Sequence, residues 1–404
     1  MDVLFLTNLL PYPIDNGGKI KTFTTLKSLN SKCDVLDLVC FTESKSDKVK
    51  DPLKLLCSSI HQIPIKLTTT VHMKYMLFLM IVSLFSKYSF GLLKYCSFDM
   101  KKTLEQYSKI KKYDIVYFDH LQMCVYYDLV KKLWPNAKII IDEHNCEYLI
   151  IRRMADCCRN TLKKCFLKIE TIKLKKFESK IVKLADKLVV LSKKDESDLR
   201  KIVTKSIMPN IIPIGLEPAS SLHKIKNRNL ECINLLYIGT LSWNPNNEGL
   251  LWFINNVIPK LVQKNIDFSL TIIGKNPTKH LIESVKELKN VILLGYVENL
   301  VPYYLQSDCL IVPLFIGSGQ RVKIIEGLSY GIPIISTSIG AEGLELEDGY
   351  NAYIADTVES FIEKINKVKI FEIRKMLSKN AIKTFNSLYS IDCVKTRIQE
   401  LLNC

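Results

Sequence analysis

Between two short apolar runs lies the segment Gly317-Ser318-Gly319-Gln320-Arg321-Val322-Lys323-Ile324-Ile325-Glu326-Gly327. The run before it, Cys309–Leu314, and the run after it, Ile332–Thr337, each predict a buried strand. A glycine-flanked loop that opens a helix exposes backbone N–H groups, which suit an anion. The arginine and lysine of the segment add positive charge for phosphate, and its glutamate adds an acceptor for sugar hydroxyls. The segment therefore predicts a binding site for a nucleotide diphosphate.

Strand and helix patterns alternate twice along the chain. The first series predicts strands at Val3–Thr7, Val35–Cys40, Ile115–Phe118, Lys138–Ile141 and Lys187–Leu191. The second predicts strands at Asn234–Ile238, Ser269–Ile273, Val291–Leu294, Cys309–Val312 and Ile332–Ser336. Short apolar strands separated by helices predict parallel sheets with right-handed crossovers. We expect an α/β chain of two doubly wound, Rossmann-like domains, with ligands at the carboxyl ends of the strands in a cleft that the domains face across.

The predicted boundary between these domains lies in a proline-punctuated stretch. Pro209, Pro213 and Pro218 interrupt the pattern, and a charged stretch at residues 223–228 follows. We therefore predict an N-terminal domain over residues 1–208 and a C-terminal domain over residues 209–384.

The charge of the chain is strongly positive and unevenly distributed. The formal net charge is +16, and residues 152–201 carry 16 Lys/Arg against 7 Asp/Glu. Two interpretations stay open: a solvated face of lysine-rich helices, or attraction to anionic lipid headgroups or a polyanionic acceptor. A nucleic-acid partner is disfavoured because no zinc-ligand spacing or RNA-binding motif accompanies the charge.

Cysteine spacing and apolar segments indicate the compartment. The 13 cysteines include no C-x-x-C pair, which favours a reducing, cytoplasmic environment. Residues 1–6 predict a core strand rather than a secretory signal. The apolar stretch Tyr75–Phe85 is shorter than the ~20 residues that a spanning helix needs. We expect a buried or membrane-surface helix there, and a cytoplasmic protein that can lie at the inner face of a membrane.

Polar residues follow three of the predicted N-terminal strands. Asn16-Gly17-Gly18-Lys19 opens a helix after the first strand, and its glycines let a ligand approach the backbone, although this sequence is also typical of an ordinary turn. His120 and His144 each follow a later strand, so each is either a catalytic or substrate-binding group or a structural histidine. Asp119 and Asp142 lie beside them, but no metal-ligand spacing appears, so we predict no metal site.

These features resemble the group 1 (glycogen-synthase-like) glycosyltransferases of GT-B fold, and within them the sugar transferases of bacterial exopolysaccharide clusters. In the C-terminal half the resemblance rests on residues 236–240, 243–246, 271–274, 291–297, 317–327, 331–333 and 337–343. In the N-terminal half it rests on residues 16–18, 119–120, 142–145, 152–153 and 185–192. It therefore covers almost the whole chain, and it implies that a C-terminal helix of about residues 385–404 packs back on the N-terminal domain.

The resemblance implies a retaining transfer of sugar from a nucleotide diphosphate sugar to a glycan or lipid-linked acceptor, with no metal or other cofactor. Glu326 would hold the donor ribose. His120, or as second choice His144, would act near the donor sugar, with Arg321 and Lys323 neutralising the leaving diphosphate. The other implied donor contacts are Gly17, Gly18, Gly239, Thr240, Tyr296, Val297, Ser318 and Gly319.

The sequence departs from the family pattern at two places. Many members carry a glutamate eight positions before Glu326, where this chain has Ser318. Many also carry Arg and Lys after the strand that ends near Gly239, where this chain has residues Leu241-Ser242-Trp243-Asn244. We infer that Arg321 and Lys323 supply the phosphate charge instead. A sugar-nucleotide epimerase of the same fold and a non-catalytic sugar-nucleotide-binding protein are the alternatives. A phosphorylase is disfavoured because this sequence lacks the cofactor-binding lysine signature of that class.

Overall fold

The computed structural model describes residues 1–43, 51–67, 72–203, 208–317 and 319–403. The chain divides into two compact units, Met1–Ile214 with Val394–Cys404 and Gly215–Cys393. The division differs from the predicted one, which ends the first domain at residue 208 and begins the return at about residue 385. Asn210–Ile211 pairs with the first sheet, and Phe385 and Tyr389 are buried in the second unit. The chain therefore leaves the first unit, and later returns to it, at positions beyond the predicted ones.

The first unit contains a seven-stranded parallel sheet in the order β3-β2-β1-β4-β5-β6-β7. Its strands are Asp2–Thr7 (β1), Val35–Thr42 (β2), Ser59–Pro64 (β3), Ile115–Asp119 (β4), Lys138–Glu143 (β5), Lys187–Val190 (β6) and Asn210–Ile211 (β7). Its helices are Gly17–Asn30 (α1), Asp51–Leu56 (α2), Met73–Phe85 (α3), Phe90–Leu93 (α4), Phe98–Ile110 (α5), Tyr127–Leu133 (α6), Glu147–Cys157 (α7), Thr161–Leu184 (α8) and Lys193–Arg200 (α9), with a 3-10 turn at Leu121–Tyr126.

The second unit contains a six-stranded parallel sheet in the order β10-β9-β8-β11-β12-β13. Its strands are Ile233–Ile238 (β8), Phe268–Ile273 (β9), Val291–Gly295 (β10), Cys309–Val312 (β11), Ile334–Ser336 (β12) and Tyr353–Ile354 (β13). Its helices are Asn244–Trp252 (α10), Ile258–Gln263 (α11), Lys279–Val285 (α12), Val301–Gln306 (α13), Val322–Tyr330 (α14), Ser338–Ala341 (α15), Val358–Val368 (α16) and Phe371–Thr384 (α17), with π turns at Phe253–Val257 and Phe385–Tyr389. The last helix is Ile391–Asn403 (α18).

Both sheets are doubly wound, as the alternation of strands and helices predicts. In each, the strand order runs outward in one direction and then restarts on the other side of the first strand, β1 beside β4 and β8 beside β11. The carboxyl ends of these two neighbours leave a crevice, because the following loops turn to opposite faces of the sheet. This topology places the residues that follow β1, β4, β8 and β11 at the switch points of the two sheets.

The last helix packs on the first sheet. Val394, Ile398 and Leu401 of α18 are buried in the same apolar cluster as residues of β1 and β2. Polar contacts fix its position: the Arg397 guanidinium donates to the Ile211 carbonyl at 3.1 Å, and Lys187 Nζ donates to the Leu401 carbonyl at 2.6 Å. The chain therefore ends in the unit in which it begins.

The apolar stretch at residues 75–85 lies within α3. Met76 and Leu79 are buried, while the other large apolar side chains of this helix are mostly exposed. Among the residues that the structure describes, no helix is both long enough and apolar enough to cross a bilayer.

Candidate active site

Asp119 is the centre of a buried polar cluster at the end of β4. Its carboxylate accepts hydrogen bonds from Thr7 Oγ1 at 2.6 Å, from Thr22 Oγ1 at 2.7 Å and from His144 Nε2 at 2.8 Å. Burial alone would raise the pKa of Asp119, but the adjacent His144 and His120 and these hydrogen bonds hold it below its usual range. Asp119 is therefore an anion that joins β1, α1 and the loop after β5.

His120 follows Asp119 directly and stands in the left-handed region of backbone space, with φ of 75°. Its ring centroid lies 3.6 Å from that of His144, and its Nε2 lies 3.8 Å from Asp119 Oδ2. Burial, and then the neighbouring His144, lower the pKa of His120 to about 3. The imidazole is therefore neutral near pH 7 and can exchange hydrogen bonds with a ligand without carrying charge.

The predicted glycine turn lies against this histidine. The Asn16 side chain accepts from the backbone N–H of Lys19 at 3.0 Å and so caps α1, which begins at Gly17. A Cβ atom added to Gly18 would lie 3.7 Å from His120 Cε1. The structure thus brings the turn at Gly17-Gly18 and His120 together at the switch point of the first sheet.

His144 holds a more enclosed position than His120. Its side chain is almost fully buried, its Nε2 is bound to Asp119, and its Nδ1 has no hydrogen-bond partner among the described residues. Asp142, two residues earlier, is also buried; it accepts a hydrogen bond from Tyr117 at 2.6 Å and pairs with Lys21 Nζ at 3.0 Å. This geometry suits His144 to positioning the cluster. His120 is the more exposed of the two imidazoles and the one that a ligand can reach.

Asp119, His120 and His144 also bring three potential metal-ligand atoms within 4.8 Å of one another. Both Asp119 oxygens already accept hydrogen bonds, and the buried Lys21 ammonium pairs with the neighbouring Asp142. These contacts describe a hydrogen-bonded network, and the absence of a metal from this site stays a prediction.

Lys323 lies over the end of β8, in the second unit. Its Nζ donates to Asn246 Oδ1 at 3.1 Å and stands 4.8 Å from the centroid of the Tyr237 ring. A Cβ atom added to Gly239 would lie only 2.8 Å from this Nζ, so a residue with a side chain would displace the lysine. Thr240 adjoins the group through its carbonyl, which accepts from Asn246 Nδ2 at 3.0 Å. The predicted residues Gly239, Thr240 and Lys323 therefore form one cluster.

Glu326 follows Lys323 by one helical turn on α14. Its Oε2 accepts a hydrogen bond from the Tyr304 hydroxyl at 3.0 Å, and the Tyr304 ring stacks on Tyr330 with centroids 4.5 Å apart. Among the described residues it forms no ion pair, so the salt bridge to Lys323 or Arg321 that could explain it structurally does not form. Burial raises the pKa of Glu326, although Tyr304 and Lys323 partly offset this effect. The carboxylate therefore keeps acceptor capacity in a mostly apolar setting.

Arg321 folds back onto the glycine loop. It stands at the N-cap of α14, is only 7% exposed, and donates from Nη1 to the Gly319 carbonyl at 2.8 Å. Gly317 and Gly319 have φ of 140° and 77°, values that L residues with side chains rarely adopt. The guanidinium thus holds the loop in shape besides adding charge. The predicted contact Ser318 lies outside the described residues.

Tyr296 and Val297 follow β10 at the same edge of the sheet. Tyr296 is 62% exposed, and Lys275 Nζ lies 4.5 Å from its ring centroid. The backbone N–H of Gly274, directly after β9, donates to the carbonyl of Gly295, the last residue of β10, at 2.7 Å. This bond holds the carboxyl ends of the two strands side by side. An exposed aromatic ring at the carboxyl edge can stack on a nucleotide base.

The C-terminal half of the chain matches a known protein family. Residues 232–369, which include the whole cluster around Lys323 and Glu326, match the family model described as glycosyl transferases group 1. The chain carries a group 1 glycosyltransferase domain. A protein from Klebsiella pneumoniae, described as an uncharacterized 44.6 kDa protein in cps region, is 26% identical over 377 residues, which cover 90% of this chain and 89% of that protein.

Solved structures show the fold. Sucrose-phosphate synthase from Thermosynechococcus elongatus is similar with a TM-score of 0.73 at 14% identity, over 100% of this chain and 98% of that one. HepE from Anabaena, in complex with UDP and glucose, has a TM-score of 0.65 at 13% identity, over 100% of this chain and 99% of that one. The predicted GT-B architecture of two Rossmann-like domains is confirmed, and residues 232–369 are a glycosyltransferase domain.

Several residues that position the groups of these clusters are not evident from the sequence. Asn246 orients Lys323, and Tyr304 orients Glu326, from positions 77 and 22 residues away in the chain. Lys21 offsets the charge of Asp142. Only Asn246 carries a signal in the sequence, because it lies in the Asn-Pro-Asn start of α10. A tyrosine or a lysine in a helix is commonly a core or surface residue, so Tyr304 and Lys21 carry no signal of their own.

The charge state of Lys323 predicts a pH dependence of donor binding. Burial, and then the nearby Arg321, lower the pKa of Lys323 to about 7, so it loses its charge as the pH rises through that value. If the ammonium binds diphosphate, affinity should fall above about pH 7, by at most about tenfold per pH unit for one proton. Calorimetric titration of a nucleoside diphosphate between pH 6 and 9 measures this slope.

The matched variant is Lys323→Arg, which stays charged throughout that range. We expect it to bind with little pH dependence. An equal slope in both proteins would assign the titration to another group and remove Lys323 from the diphosphate site.

Proposed function

We propose that this glycosyltransferase moves a hexose-type sugar from a nucleotide diphosphate sugar to a glycan or lipid-linked acceptor. The observation that carries the proposal is the position of an acceptor, Glu326, one helical turn from a cation, Lys323, at the switch point of the domain that matches the family model. A carboxylate binds ribose hydroxyls, and a fixed cation stabilises the charge that grows on a leaving diphosphate.

Each cluster has a role in this proposal. Glu326 holds the donor ribose, and Lys323 neutralises the diphosphate. Arg321 shapes the glycine loop and adds to the positive potential there. The remaining donor contacts are proposed to be Gly17, Gly18, Gly239, Thr240, Ser318 and Gly319, with Tyr296 and Val297 beside the base.

In the N-terminal domain we propose His120 as the group that contacts the donor sugar. It is neutral, it adjoins the Gly17-Gly18 turn, and His144 and Asp119 hold it in place. A neutral imidazole can orient a sugar hydroxyl by hydrogen bonding. The reaction is proposed to retain the anomeric configuration and to need no metal.

Two relatives narrow the substrates that we propose. HepE was solved with UDP and glucose, which supports a nucleotide diphosphate sugar as donor. The Klebsiella protein is described as lying in a cps region, which supports a role in polysaccharide assembly. A screen of nucleotide sugars and acceptors would identify the donor base, the sugar and the linkage.

The decisive experiment incubates the protein with labelled nucleotide sugars, with and without glycan and lipid-linked acceptors. We expect nucleotide release that depends on an acceptor and survives chelation of divalent metals, with the product anomer matching the donor by NMR. Release of free sugar and nucleotide without acceptor would indicate the epimerase-like alternative. Tight donor binding without turnover on any acceptor would indicate a binding protein and contradict the proposal.

We also propose that the protein works at the cytoplasmic face of a membrane, as a peripheral protein. The support is the exposed apolar face of α3 together with the lysine-rich helix α8 of the same domain. An apolar helix surface beside basic side chains is typical of binding to anionic membrane surfaces.

A further inference from the structure

A groove of about 450 Å³ lies in the first unit between α8, the segment after α3 and the start of α6. Its apolar walls come from Tyr88, Tyr127, Ile172, Phe177 and Ile181. The Tyr88 and Phe177 rings meet edge to face, with centroids 5.6 Å apart, and they give one wall a fixed shape. A volume in this range is typical of small-molecule sites.

Four lysines surround this groove, and they differ in how they are used. Lys173 donates to the carbonyls of Ser83 and Leu84, the former through a short contact, and so caps the end of α3. Lys180 pairs with Asp128 at 3.6 Å.

The other two lysines of the rim keep their charge available. Lys87 and Lys176 are exposed, and neither forms a hydrogen bond or ion pair with the described residues. Lys87 Nζ stands 5.1 Å from the centroid of the Tyr88 ring, at the mouth of the groove. An apolar groove with two unpaired ammonium groups at its mouth complements a molecule with an apolar chain and an anionic head.

The surroundings of the groove indicate where that molecule resides. The groove begins at Ser86, directly after α3. The exposed large apolar side chains of α3 are Met73, Tyr75, Leu77, Phe78, Ile81, Leu84 and Phe85. One soluble ligand cannot cover so large an apolar surface, whereas a bilayer covers the helix and supplies a chain to the groove.

We propose that the groove takes one acyl chain of an anionic phospholipid, with its phosphate bound by Lys87 and Lys176 while α3 lies in the bilayer interface. This inference rests on the proposed membrane contact, and it makes that contact a defined lipid site rather than a diffuse attraction of the basic region. Among the described residues, Asp128 is the one acidic residue that lines the groove, and it is already paired with Lys180.

Vesicle co-sedimentation tests the charged part of the site. Wild-type protein should bind vesicles of phosphatidylcholine with phosphatidylglycerol and bind pure phosphatidylcholine more weakly. The double variant Lys87→Gln/Lys176→Gln should lower the partition coefficient on anionic vesicles by about 25-fold, at about fivefold per lysine. The matched control is Lys279→Gln/Lys286→Gln, two exposed lysines of the other unit, which should bind like wild type.

A fluorescence experiment tests the apolar part. Ile172 is 68% exposed at the groove, so Ile172→Trp is tolerated and adds a reporter there. Brominated acyl chains should quench the added fluorescence on vesicle binding. The same substitution at Ile282, an exposed residue of α12, should give no additional quenching.

Three outcomes overturn the proposal: unchanged binding of the lysine variant, vesicle binding without quenching at position 172, or binding that requires a polyprenyl phosphate in the vesicles. The last would make the occupant the acceptor rather than a bilayer lipid. Donor binding should be equal in all these variants. Wild-type protein that binds lipid in the groove but never transfers sugar would refute the proposed function and leave this inference standing.

Discussion

Replacing Glu326 with glutamine is expected to weaken binding of the nucleotide sugar by about 10- to 100-fold, the range that corresponds to a hydrogen bond involving a charged group. The carboxylate can accept from two ribose hydroxyls at once, whereas an amide offers one acceptor oxygen. Calorimetric titration with nucleoside diphosphate and with the intact donor measures the effect.

The fold should survive this change. Burial raises the pKa of Glu326, so the charged form costs free energy in the unliganded protein and glutamine relieves that cost. We therefore expect a Tm equal to or above that of the wild type, together with weaker binding. A merely structural glutamate would give the reverse: a lower Tm and unchanged affinity.

Two control variants distinguish the effect of losing the Glu326 carboxylate from the effects of losing its hydrogen-bond donor or an unrelated surface charge. Tyr304→Phe removes the hydroxyl that donates to Glu326 but keeps the ring stacked on Tyr330, so donor affinity should change by only a few-fold. Glu359→Gln removes an exposed carboxylate on α16 and should change nothing. Equal donor affinity in wild type and Glu326→Gln would remove Glu326 from the site.

Replacing His120 with alanine is expected to lower kcat by about 100-fold, the lower end of the range for a positioned catalytic imidazole, with a small change in KM. The pKa of His120 is held near 3, so kcat should show no titration of His120 between about pH 5 and 8. A neutral amide can replace some of its hydrogen bonds, so His120→Asn should recover part of the loss.

His144→Ala should have a different signature. His144 contacts Asp119 and the His120 ring rather than open space, so its loss leaves a buried carboxylate with fewer partners. We expect a fall in Tm with a loss of about tenfold in kcat, below that of His120→Ala. Equal and small losses of kcat in both variants would contradict a catalytic role for either histidine.

The depressed pKa of His120 also fixes the sign of one effect on the stability of the fold. Its pKa is depressed in the folded protein, so below about pH 6.5 the unfolded chain binds a proton that the folded chain does not. The stability that this group contributes is therefore present above that pH and declines as the pH falls toward 3. Acid unfolding of His120→Asn should be less steep.

Much of the fold could be predicted because the central strands are fully buried. β1, β4, β8 and β11 contain the apolar runs Val3–Leu6, Ile115–Phe118, Leu235–Ile238 and Cys309–Val312, and burial on both faces of the sheet explains why these runs do not alternate with polar residues. The edge strand β10 was also predicted, at Val291–Leu294, but the other three edge strands were missed because their sequences carry no such run. β3 contains His61 and Gln62, and β7 and β13 have two residues each, so no apolar run marks them.

The site was predictable where one segment of chain carries it and not where distant segments meet. Lys323 and Glu326 lie on one helix next to their glycine loop, so their association is local. Asp119 meets Thr7 across 112 positions, and only the pairing of β1 with β4 brings them together. Arg321 shows that residue type alone does not predict every role of a side chain. It was predicted as a phosphate-binding cation, but its guanidinium also donates a hydrogen bond to the Gly319 carbonyl.

A structure of the protein bound to a nucleoside diphosphate tests the central claim most directly. The account predicts ribose oxygens within hydrogen-bonding distance of the Glu326 carboxylate, and phosphate oxygens beside Lys323 Nζ and the loop at residues 317–319. A nucleotide bound away from the carboxyl ends of β8 and β11, with Glu326 still bound only to Tyr304, would contradict it.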